Sequence, residues 1–357
     1  MKILAFYLPQ YHEVPENNKW WGEGFTDWVN VKKAKKLYKN HNQPKIPING
    51  NYYNLSDCKE FYNQIKIAKE YGIGGFCFYH YWFNGKKLLE VPIENFLNNK
   101  DLDIEFCLSW ANEPWTRSWD GKESNILIDQ YYGKQKQWNE HFSYLLKFFN
   151  DKRYIKVNDK PMFLIYRSES IPNCDAMIEY WDEMCRKHGF KGIHVVETLT
   201  SFQNKPKCDK SEAVVEFEPM FTMKNDLSKF TNMKRAFRKI LFRNKPMIIN
   251  YEEIWKRIIK RNYDYGKNKY LGAFVGWDNT PRKGLRGCIC TNQDNIKFGK
   301  YLEKQIEKCE GGYIFINAWN EWAEGAYLEP DENDKFTYLE ELKNVLSIKN
   351  NYYKPKE

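Results

Sequence analysis

The stretch Tyr313–Gly325, YIFINAWNEWAEG, joins a short apolar run to two acidic residues set among tryptophans. Its first four residues are typical of a buried strand, and Glu321 and Glu324 follow just beyond the end of that strand. Carboxylates in such a place are costly to desolvate unless they are paired, exposed in a cleft or used in chemistry. Two acids that interact also acquire different proton affinities, which general acid/base catalysis requires. The stretch therefore predicts a strand that carries a reactive pair of acids at its C-terminal end.

Similar apolar runs recur along the 357 residues and alternate with helical patterns. Near-continuous apolar strands are typical of a parallel sheet covered on both faces, and eight strand–helix units match a (β/α)8 barrel. The sequence thus predicts an α/β fold, a single (β/α)8 TIM barrel over residues 1–357. The predicted strands are Ile3–Leu8, Gly74–Tyr79, Ile104–Trp110, Met162–Tyr166, Ile193–Glu197, Ala213–Glu218, Leu271–Trp277 and Tyr313–Ile316. The clearest helices are predicted at Cys58–Tyr71, Gln135–Asn150, Asp175–His188, Asn295–Lys308 and Tyr338–Ile348.

Three departures from a plain barrel are predicted. A long loop follows the first strand, and no obvious helix connects the fifth strand to the sixth. A basic helical insertion, at about 224–269, separates strands six and seven. A doubly wound nucleotide-binding fold is the alternative, but it would need a glycine-rich turn after the first strand. The residues there, Pro9–Glu13, read PQYHE, so the barrel is preferred.

The net charge of +9 is concentrated in one segment. Lys224–Arg261 contains twelve Lys and Arg against three Asp and Glu, so the rest of the chain is neutral overall. Apolar and basic residues recur there on opposite sides of a helical pattern. Two interpretations stay open, a solvated surface helix or a helix that contacts an anionic membrane or glycan. The apolar set is Phe230, Met233, Phe237, Ile240 and Leu241, and the basic set is Lys234, Arg235, Arg238, Lys239 and Arg243.

Cysteine content and hydropathy bear on metal binding and location. The nine cysteines include no CxxC pair, so neither a metal nor a cofactor is expected. Buried thiols such as Cys77 and Cys107 suit a reducing compartment. The apolar start, Lys2–Leu8, is too short for a signal peptide, and no run reaches the length of a membrane span. We therefore expect a cytoplasmic protein, with contact to the inner face of the membrane through the basic helix as an option.

Polar and aromatic residues gather after seven of the eight predicted strands, where the catalytic groups of barrels lie. We expect them to bind substrate around Glu321 and Glu324. Aromatics make up 17% of the chain and would serve either a ring-rich core or a carbohydrate cleft. The acids among them would repel a phosphate backbone, so no nucleic-acid partner is expected. The candidates are Gln10, Tyr11, His12, Glu23, Trp28, His80, Tyr81, Trp110, Asn112, Glu113, Trp115, Glu218, Trp277, Asp278 and Asn320.

Five motifs resemble the glycoside hydrolase family 99-like group, which includes WbsX-type glycosyltransferases of polysaccharide clusters. They span nearly the whole chain in the expected order. The resemblance implies a barrel that processes an oligosaccharide or polysaccharide, and it adds Tyr7 to the candidate binding residues. The motifs are Phe6–His12 (FYLPQYH), Glu23–Trp28 (EGFTDW), Trp110–Trp115 (WANEPW), Gly276–Arg282 (GWDNTPR) and Asn320–Gly325 (NEWAEG).

The resemblance also implies roles for the two acids. Family 99 endo-α-mannosidases carry Asn-Glu-Trp-His-Glu where this chain has Ala323 in place of the histidine. By that match Glu324 would protonate the leaving oxygen, and Glu321 would act as a base on the sugar 2-hydroxyl, with net retention. In a helical turn the two carboxyls would lie within about 6 Å of each other. Glu113, from across the barrel, could instead pair with either of them as an ordinary two-carboxylate site.

Three functions remain open at this stage. The first is a glycoside hydrolase-like enzyme that acts on a bacterial surface polysaccharide. The second is a glycosyltransferase or transglycosylase in the assembly of O-antigen or capsule. Its nucleotide-dependent form lacks a site, because Asp101-Leu102-Asp103 precedes a strand rather than following one. The third is a non-catalytic glycan-binding barrel, which the replacement at Ala323 would favour.

Overall fold

A computed structural model describes residues 1–117, 122–241 and 245–352. Eight parallel strands form a closed barrel, because β1 pairs with both β2 and β8. The strands are almost wholly buried, as their continuous apolar sequences predict. The predicted TIM barrel is thereby confirmed. The strands are β1 (Lys2–Tyr7), β2 (Gly75–Phe83), β3 (Glu105–Trp110), β4 (Lys160–Ile165), β5 (His194–Leu199), β6 (Ala213–Glu216), β7 (Asn268–Phe274) and β8 (Tyr313–Asn317).

Helices surround the barrel and bury their apolar sides against it. Residues 200–212, between β5 and β6, contain no α-helix, as expected. The helices are α1 (Pro15–Trp21), α2 (Asp27–Lys33), α3 (Cys58–Glu70), α4 (Val91–Asn98), α5 (Gln135–Phe149), α6 (Cys174–Lys187), α7 (Met220–Asn225), α8 (Lys229–Leu241), α9 (Tyr251–Lys260), α10 (Thr280–Lys283), α11 (Asn295–Glu307) and α12 (Thr337–Tyr352). Short additional strands lie at Lys86–Leu88, Trp115–Arg117, Lys122–Ile128, Lys156–Val157, Met247–Asn250, Cys288–Thr291, Asn320–Glu321 and Ala326–Tyr327.

Aromatic rings fill the inside of the barrel. The Phe6 ring contacts Tyr79, Phe217 and Phe315, with centroids 5.7, 5.1 and 5.5 Å away. These residues come from four different strands or strand ends, so the interior is a packed core rather than a pore. Much of the high aromatic content therefore serves packing.

The predicted insertion between β6 and β7 is helical and also contains a short strand. Met247–Asn250 pairs in parallel with Cys288–Thr291. The Asn250 side chain accepts hydrogen bonds from the first turn of α9. Trp255 of α9 stacks on Phe274 of β7 at 5.2 Å, so this helix belongs to the ring around the barrel. Arg243 lies outside the described residues, as do the side chains of Lys234, Arg238, Lys239, Ile240 and Leu241.

Two cysteines depart from the expected pattern of free thiols. Cys77 and Cys107 are buried and unpaired, but Cys174 is joined to Cys208 by a disulfide. Because disulfides persist mainly in oxidising compartments, the cysteine content alone no longer argues for a reducing one. Among the described helices, none combines the length and the apolar character needed to cross a membrane.

Candidate active site

A cleft of about 630 Å³ opens at the C-terminal end of the barrel. Both predicted catalytic acids line it, together with five of the predicted binding residues. The residues predicted from the sequence and found in the lining are Gln10, Tyr81, Glu113, Trp115, Trp277, Glu321 and Glu324. The lining also includes Leu8, Trp21, Tyr79, Tyr166, Phe202, Phe217, Met220, Asn279, Arg282 and Lys283.

A tight turn after β8 holds the two acids. Glu321 ends the short strand Asn320–Glu321, and Glu324 ends a single 3-10 turn that begins at Trp322. Gly325 follows in the left-handed conformation with φ 60°, which favours glycine. A Cβ at this position would lie 2.9 Å from the backbone nitrogen of Asp278, the same N–H that donates to the Glu324 carbonyl at 2.6 Å. The three-residue spacing therefore places both carboxyls on one turn, which is one of the two geometries that the sequence left open.

One guanidinium binds both acids. Arg282, in α10, donates from Nη2 to Glu321 at 3.1 Å and from Nη1 to Glu324 at 2.7 Å. Its Nη2 also contacts Asp27 Oδ2, at the start of α2, at 2.9 Å. We call these four residues the Arg282 cluster. It brings together the loops after β1, β7 and β8, and it sets three carboxyls against one fixed positive charge.

Burial makes Glu321 a proton carrier at neutral pH. Burial, together with the nearby Glu324 and Asp27, raises the pKa of the Glu321 carboxyl to about 8, although Arg282 opposes the shift. The Glu324 side chain is 23% exposed and keeps its salt bridge to Arg282. The two adjacent acids thus differ in environment, which is how one carboxyl stays protonated beside an ionised one.

The opposite wall carries a third acid. Glu113 accepts from Arg167 Nη1 at 3.0 Å, and burial raises the pKa of its carboxyl despite that arginine. The Arg167 guanidinium stacks under the exposed Phe202 ring at 4.1 Å. Glu113 therefore remains a possible partner for the Arg282 cluster, since both line the same cleft.

Two buried donors in the cleft lining have no protein partner in the described part of the chain. They are Gln10 Nε2 and Trp277 Nε1. Buried polar groups are almost always hydrogen-bonded, and exceptions call for an explanation. Aromatic rings also line the cleft, and those of Trp115 and Tyr81 contact each other edge to face with centroids 5.4 Å apart. Such rings are what the apolar faces of a bound sugar would engage.

Four predicted binding residues lie on the outer face of the barrel. Tyr7 donates to Gln64 of α3 at 2.5 Å, and His80 contacts His141 of α5 at 2.9 Å. Trp110 packs against Trp181 of α6. Glu218 is held by Arg261, which follows α9. Side chains alternate along a strand, so their neighbours line the cleft instead: Leu8, Tyr79, Tyr81, Ala111 and Phe217.

Four others support the loops that shape the cleft. Asn320 bonds the backbone of Leu8 through both of its side-chain atoms, at 2.7 and 3.0 Å. Asn112 does the same to the backbone of Arg167 at 2.8 Å. Tyr11 donates to the carbonyl of Asn320, and Trp28 donates to the carbonyl of Tyr53 at 2.8 Å. These buried groups make their hydrogen bonds within the protein and lie outside the cleft lining, so their role in binding substrate stays a prediction.

Asp278 has a similar structural task. His41, Gln43 and Thr280 surround its carboxylate at 2.6 to 3.0 Å. Burial opposes ionisation, but these hydrogen bonds outweigh it and keep the pKa of Asp278 below its usual value. The residue thereby fixes the loop that carries Arg282.

The last two predicted binding residues also lie away from the cleft lining. His12 is buried against the carbonyl of Pro9 at 3.0 Å. Glu23 is exposed in the loop between α1 and α2. Burial lowers the pKa of His12, so its imidazole is neutral and suits a structural position better than a charged one.

The sequence argument missed Asp27 and Arg282 as site residues, although both lie in the quoted motifs. Their ion pair spans 255 positions, so no local pattern joins them. In the part of the chain that the structure describes, no group of three or more His, Cys, Asp and Glu is arranged to hold a metal ion.

A barrel with paired acids in an aromatic cleft is typical of carbohydrate-active proteins. Residues 3–342 match the family described as Glycosyltransferase WbsX. The chain belongs to this family, which confirms the resemblance found in its motifs.

The curated relatives extend the comparison. The chain is 33% identical over 352 residues to the uncharacterized protein WxcX of Xanthomonas campestris pv. campestris, and the match covers 97% of this chain and 49% of that protein. The same protein of strain B100 is 34% identical over the same length. The chain thus spans about half the length of the curated relatives it matches.

Solved structures share the fold. A glycoside hydrolase-like protein superposes with a TM-score of 0.61 at 13% identity, over 96% of this chain and 93% of that one. The GH99 endo-alpha-mannosidase from Bacteroides thetaiotaomicron gives 0.59 at 14% identity, over 98% and 97%. At such identities the likeness shows the fold alone.

Proposed function

We propose that this chain is a single catalytic barrel of a carbohydrate-active enzyme of the family 99-like type. It cleaves or transfers glycosidic bonds of a bacterial surface polysaccharide, and Glu321 and Glu324 do the chemistry. One observation carries the proposal: both carboxyls bind one guanidinium inside a cleft that is lined with aromatic rings. Family membership and the fold support the same class of substrate.

The proton balance of the pair suits general acid/base catalysis. A carboxyl with a pKa of about 8 holds a proton at neutral pH and can give it to a leaving oxygen. Arg282 fixes both side chains and stabilises whichever of them is ionised. Because Arg282 also binds Asp27, its charge stays paired when either catalytic carboxyl changes its protonation state.

The raised pKa of Glu321 favours roles opposite to those that the resemblance implies. With the proton on Glu321, that residue would be the acid and Glu324 the base or nucleophile. The family's motif assigns the acid/base role to Glu324. The burial of Glu321 supports the first assignment and the motif supports the second, so an experiment must separate them.

Oligosaccharide turnover tests the proposal. Purified protein is incubated with a panel of polysaccharide-derived oligosaccharides, and products are resolved by mass spectrometry. We expect cleavage or transfer that falls at least about a hundredfold in Glu321→Gln and in Glu324→Gln. Glu23→Gln, an exposed acid outside the cleft, is the matched control and should retain activity. Glycan binding without turnover in the parent, unchanged by Glu324→Gln, would support a non-catalytic barrel instead.

An activated leaving group separates the two roles. A glycosyl fluoride needs no protonation to depart, so loss of the general acid is tolerated on it whereas loss of the base or nucleophile is not. If Glu321 is the acid, Glu321→Gln should cleave the fluoride at close to the parent rate, and Glu324→Gln should not. The reverse pattern would restore the roles implied by the motif. If turnover were lost in Glu113→Gln alone, Glu113 on the opposite wall would be the catalytic carboxyl instead.

A transfer reaction is the second candidate, because the matching family is described as a glycosyltransferase. The structure disfavours its nucleotide-dependent form. Asp103 pairs with Lys69 at 2.6 Å before the start of β3, at the end of the barrel away from the cleft. We expect nucleotide sugars, with or without manganese, to cause no thermal shift, and an acceptor glycan to be extended from a glycan donor. A manganese-dependent shift would overturn this preference.

A further inference from the structure

Helix α8 exposes a row of large apolar side chains. Phe230, Met233 and Phe237 are 60%, 66% and 64% exposed. Their spacing of three and four residues places them along one side of the helix. We call these three residues the α8 stripe. Large apolar side chains scattered singly on a surface are ordinary, but an aligned set on one helix is typical of an interaction site.

Polar contacts tie the rest of α8 to the barrel. Arg235 Nη1 donates to the Met223 carbonyl of α7 at 2.7 Å, and its Nε contacts the Met247 sulfur at 3.1 Å. The Thr231 hydroxyl donates to Glu253 of α9. Thr231 and Arg235 therefore attach the helix to its neighbours, and the three residues of the α8 stripe are exposed.

Basic residues accompany the stripe. Lys224–Arg261 carries the chain's entire excess of positive charge, +9. The sequence of α8 also contains Lys234 and Arg238, within a few residues of the stripe along the chain. Lys229, at the start of the helix, is exposed. An apolar row flanked by cations is the pattern of a helix that lies in the plane of a membrane interface.

We propose that the α8 stripe and its flanking cations dock the protein on an anionic lipid bilayer. The rings and the methionine enter the boundary between headgroups and acyl chains, and the cations pair with anionic headgroups. An acidic polysaccharide would satisfy the cations but would leave the apolar side chains in water. A second copy of the chain would bury the stripe but would bring two strongly basic segments together, which repel.

Docking through α8 would bring the cleft to the lipid surface. Met220, the first residue of α7, lines the cleft, and Arg235 of α8 holds the other half of α7. A helix of six residues is only about 9 Å long. A glycan carried on a membrane lipid would then meet the cleft close to the headgroups, whereas a free oligosaccharide would not depend on docking.

Vesicle sedimentation of the full chain tests the proposal. The probe is vesicles of equal parts phosphatidylglycerol and phosphatidylcholine, compared with phosphatidylcholine alone. We expect binding to the anionic vesicles to be at least about tenfold stronger and to weaken in high salt. The variants Met233→Ser/Phe237→Ser and Lys234→Gln/Arg238→Gln should each lose about tenfold in binding. Arg235 is left unchanged because its contacts hold α8 in place.

Matched controls come from the other outer helices. Ile296→Ser/Ile348→Ser removes two exposed apolar side chains, and Lys300→Gln/Lys304→Gln removes two exposed cations. Both should bind like the parent, and circular dichroism confirms that every variant is folded. Equal binding by the α8 variants and their controls would overturn the proposal, as would equal binding to both kinds of vesicle. A dimer in sedimentation velocity that Met233→Ser/Phe237→Ser abolishes, with no vesicle binding, would assign the stripe to a second copy and also overturn it.

Discussion

Two buried arginines in this barrel each hold three carboxyls, yet only one of the two groups faces the cleft. Arg261 binds Glu216 at 2.9 Å, Asp226 at 3.0 Å and also Glu218; we call these four the Arg261 cluster. Its guanidinium side chain is 1% exposed and lies between the barrel wall and α9. The Arg282 cluster has the same composition but opens to the cleft through Glu324.

The comparison shows that charge composition does not define an active site. Burial raises the pKa of both Glu218 and Glu321. Glu218 is enclosed, so its carboxyl can exchange a proton only with the other partners of Arg261. Glu321 stands beside space that a substrate can enter. Access of substrate to the carboxyl therefore separates a reactive ion cluster from a structural one. That access depends on which face of the strand end carries the residue.

The largest predicted difference between the clusters is in turnover. Glu321→Gln and Glu324→Gln should each lower kcat/KM by about a thousandfold, since each removes a group that transfers a proton or attacks in the transition state. Glu218→Gln should leave kcat/KM within about threefold of the parent in the fraction that folds. Initial rates on the cleaved oligosaccharide measure this. A comparable loss of kcat/KM in Glu218→Gln would mean that the two clusters do not differ in catalytic role.

Stability should show the reverse order. Arg261→Met leaves the two buried carboxyls of Glu216 and Glu218 without their counter-charge and should lower the free energy of unfolding by about 3–5 kcal/mol. Arg282→Met should cost only about 1–3 kcal/mol, because water reaches Glu324 from the cleft and Glu321 can stay protonated. Urea titration at neutral pH gives both values. Equal losses would mean that the cleft does not hydrate the Arg282 cluster.

The pH dependence of activity gives a sharper contrast. If Glu321 acts as the acid, the active form is protonated, so kcat/KM is highest below its pKa of about 8 and falls about tenfold per pH unit above it. Glu218→Gln should keep this alkaline limb. A rate that rises through the same pH range would instead identify Glu321 as the base.

The smallest predicted effect concerns two rings stacked on arginines. Phe202 lies over Arg167 in the cleft, and Tyr263 lies over Arg261 outside it, at 4.1 and 6.0 Å. Phe202→Ala should raise KM about fivefold by removing a sugar-stacking surface, at about 1 kcal/mol for a lost aromatic contact. Tyr263→Ala is the matched control and should leave KM unchanged. Steady-state kinetics on one oligosaccharide distinguish them.

The barrel itself was predictable because each strand is a continuous apolar run that ends near a polar residue. The same continuous apolar pattern does not show which side chains point into the barrel and which point towards the helices. In β2 the run GFCFYHYWF is buried on both faces. The sequence therefore does not show that Tyr79 and Tyr81 face the cleft whereas His80 faces α5. Glu218 and Trp110 were misplaced for this reason.

The acids at Glu321 and Glu324 were predictable because their three-residue spacing is local. The partner that organises them was not, since Arg282 reaches Asp27 and the acids across 255, 39 and 42 positions. The loop contacts of Asn112, Asn320 and Asp278 were not predictable for another reason. A buried amide or carboxylate that holds loop backbone looks the same in sequence as one that holds a sugar.

A crystal of Glu324→Gln soaked with the oligosaccharide that the parent turns over tests the central claim most directly. The account predicts a sugar ring in the cleft with its glycosidic oxygen within hydrogen-bond distance of Glu321 and Gln10 or Trp277 in contact with its hydroxyls. Sugar bound elsewhere, for example in the groove of about 610 Å³ beside Tyr263 and Tyr265, with Glu321 untouched, would contradict it.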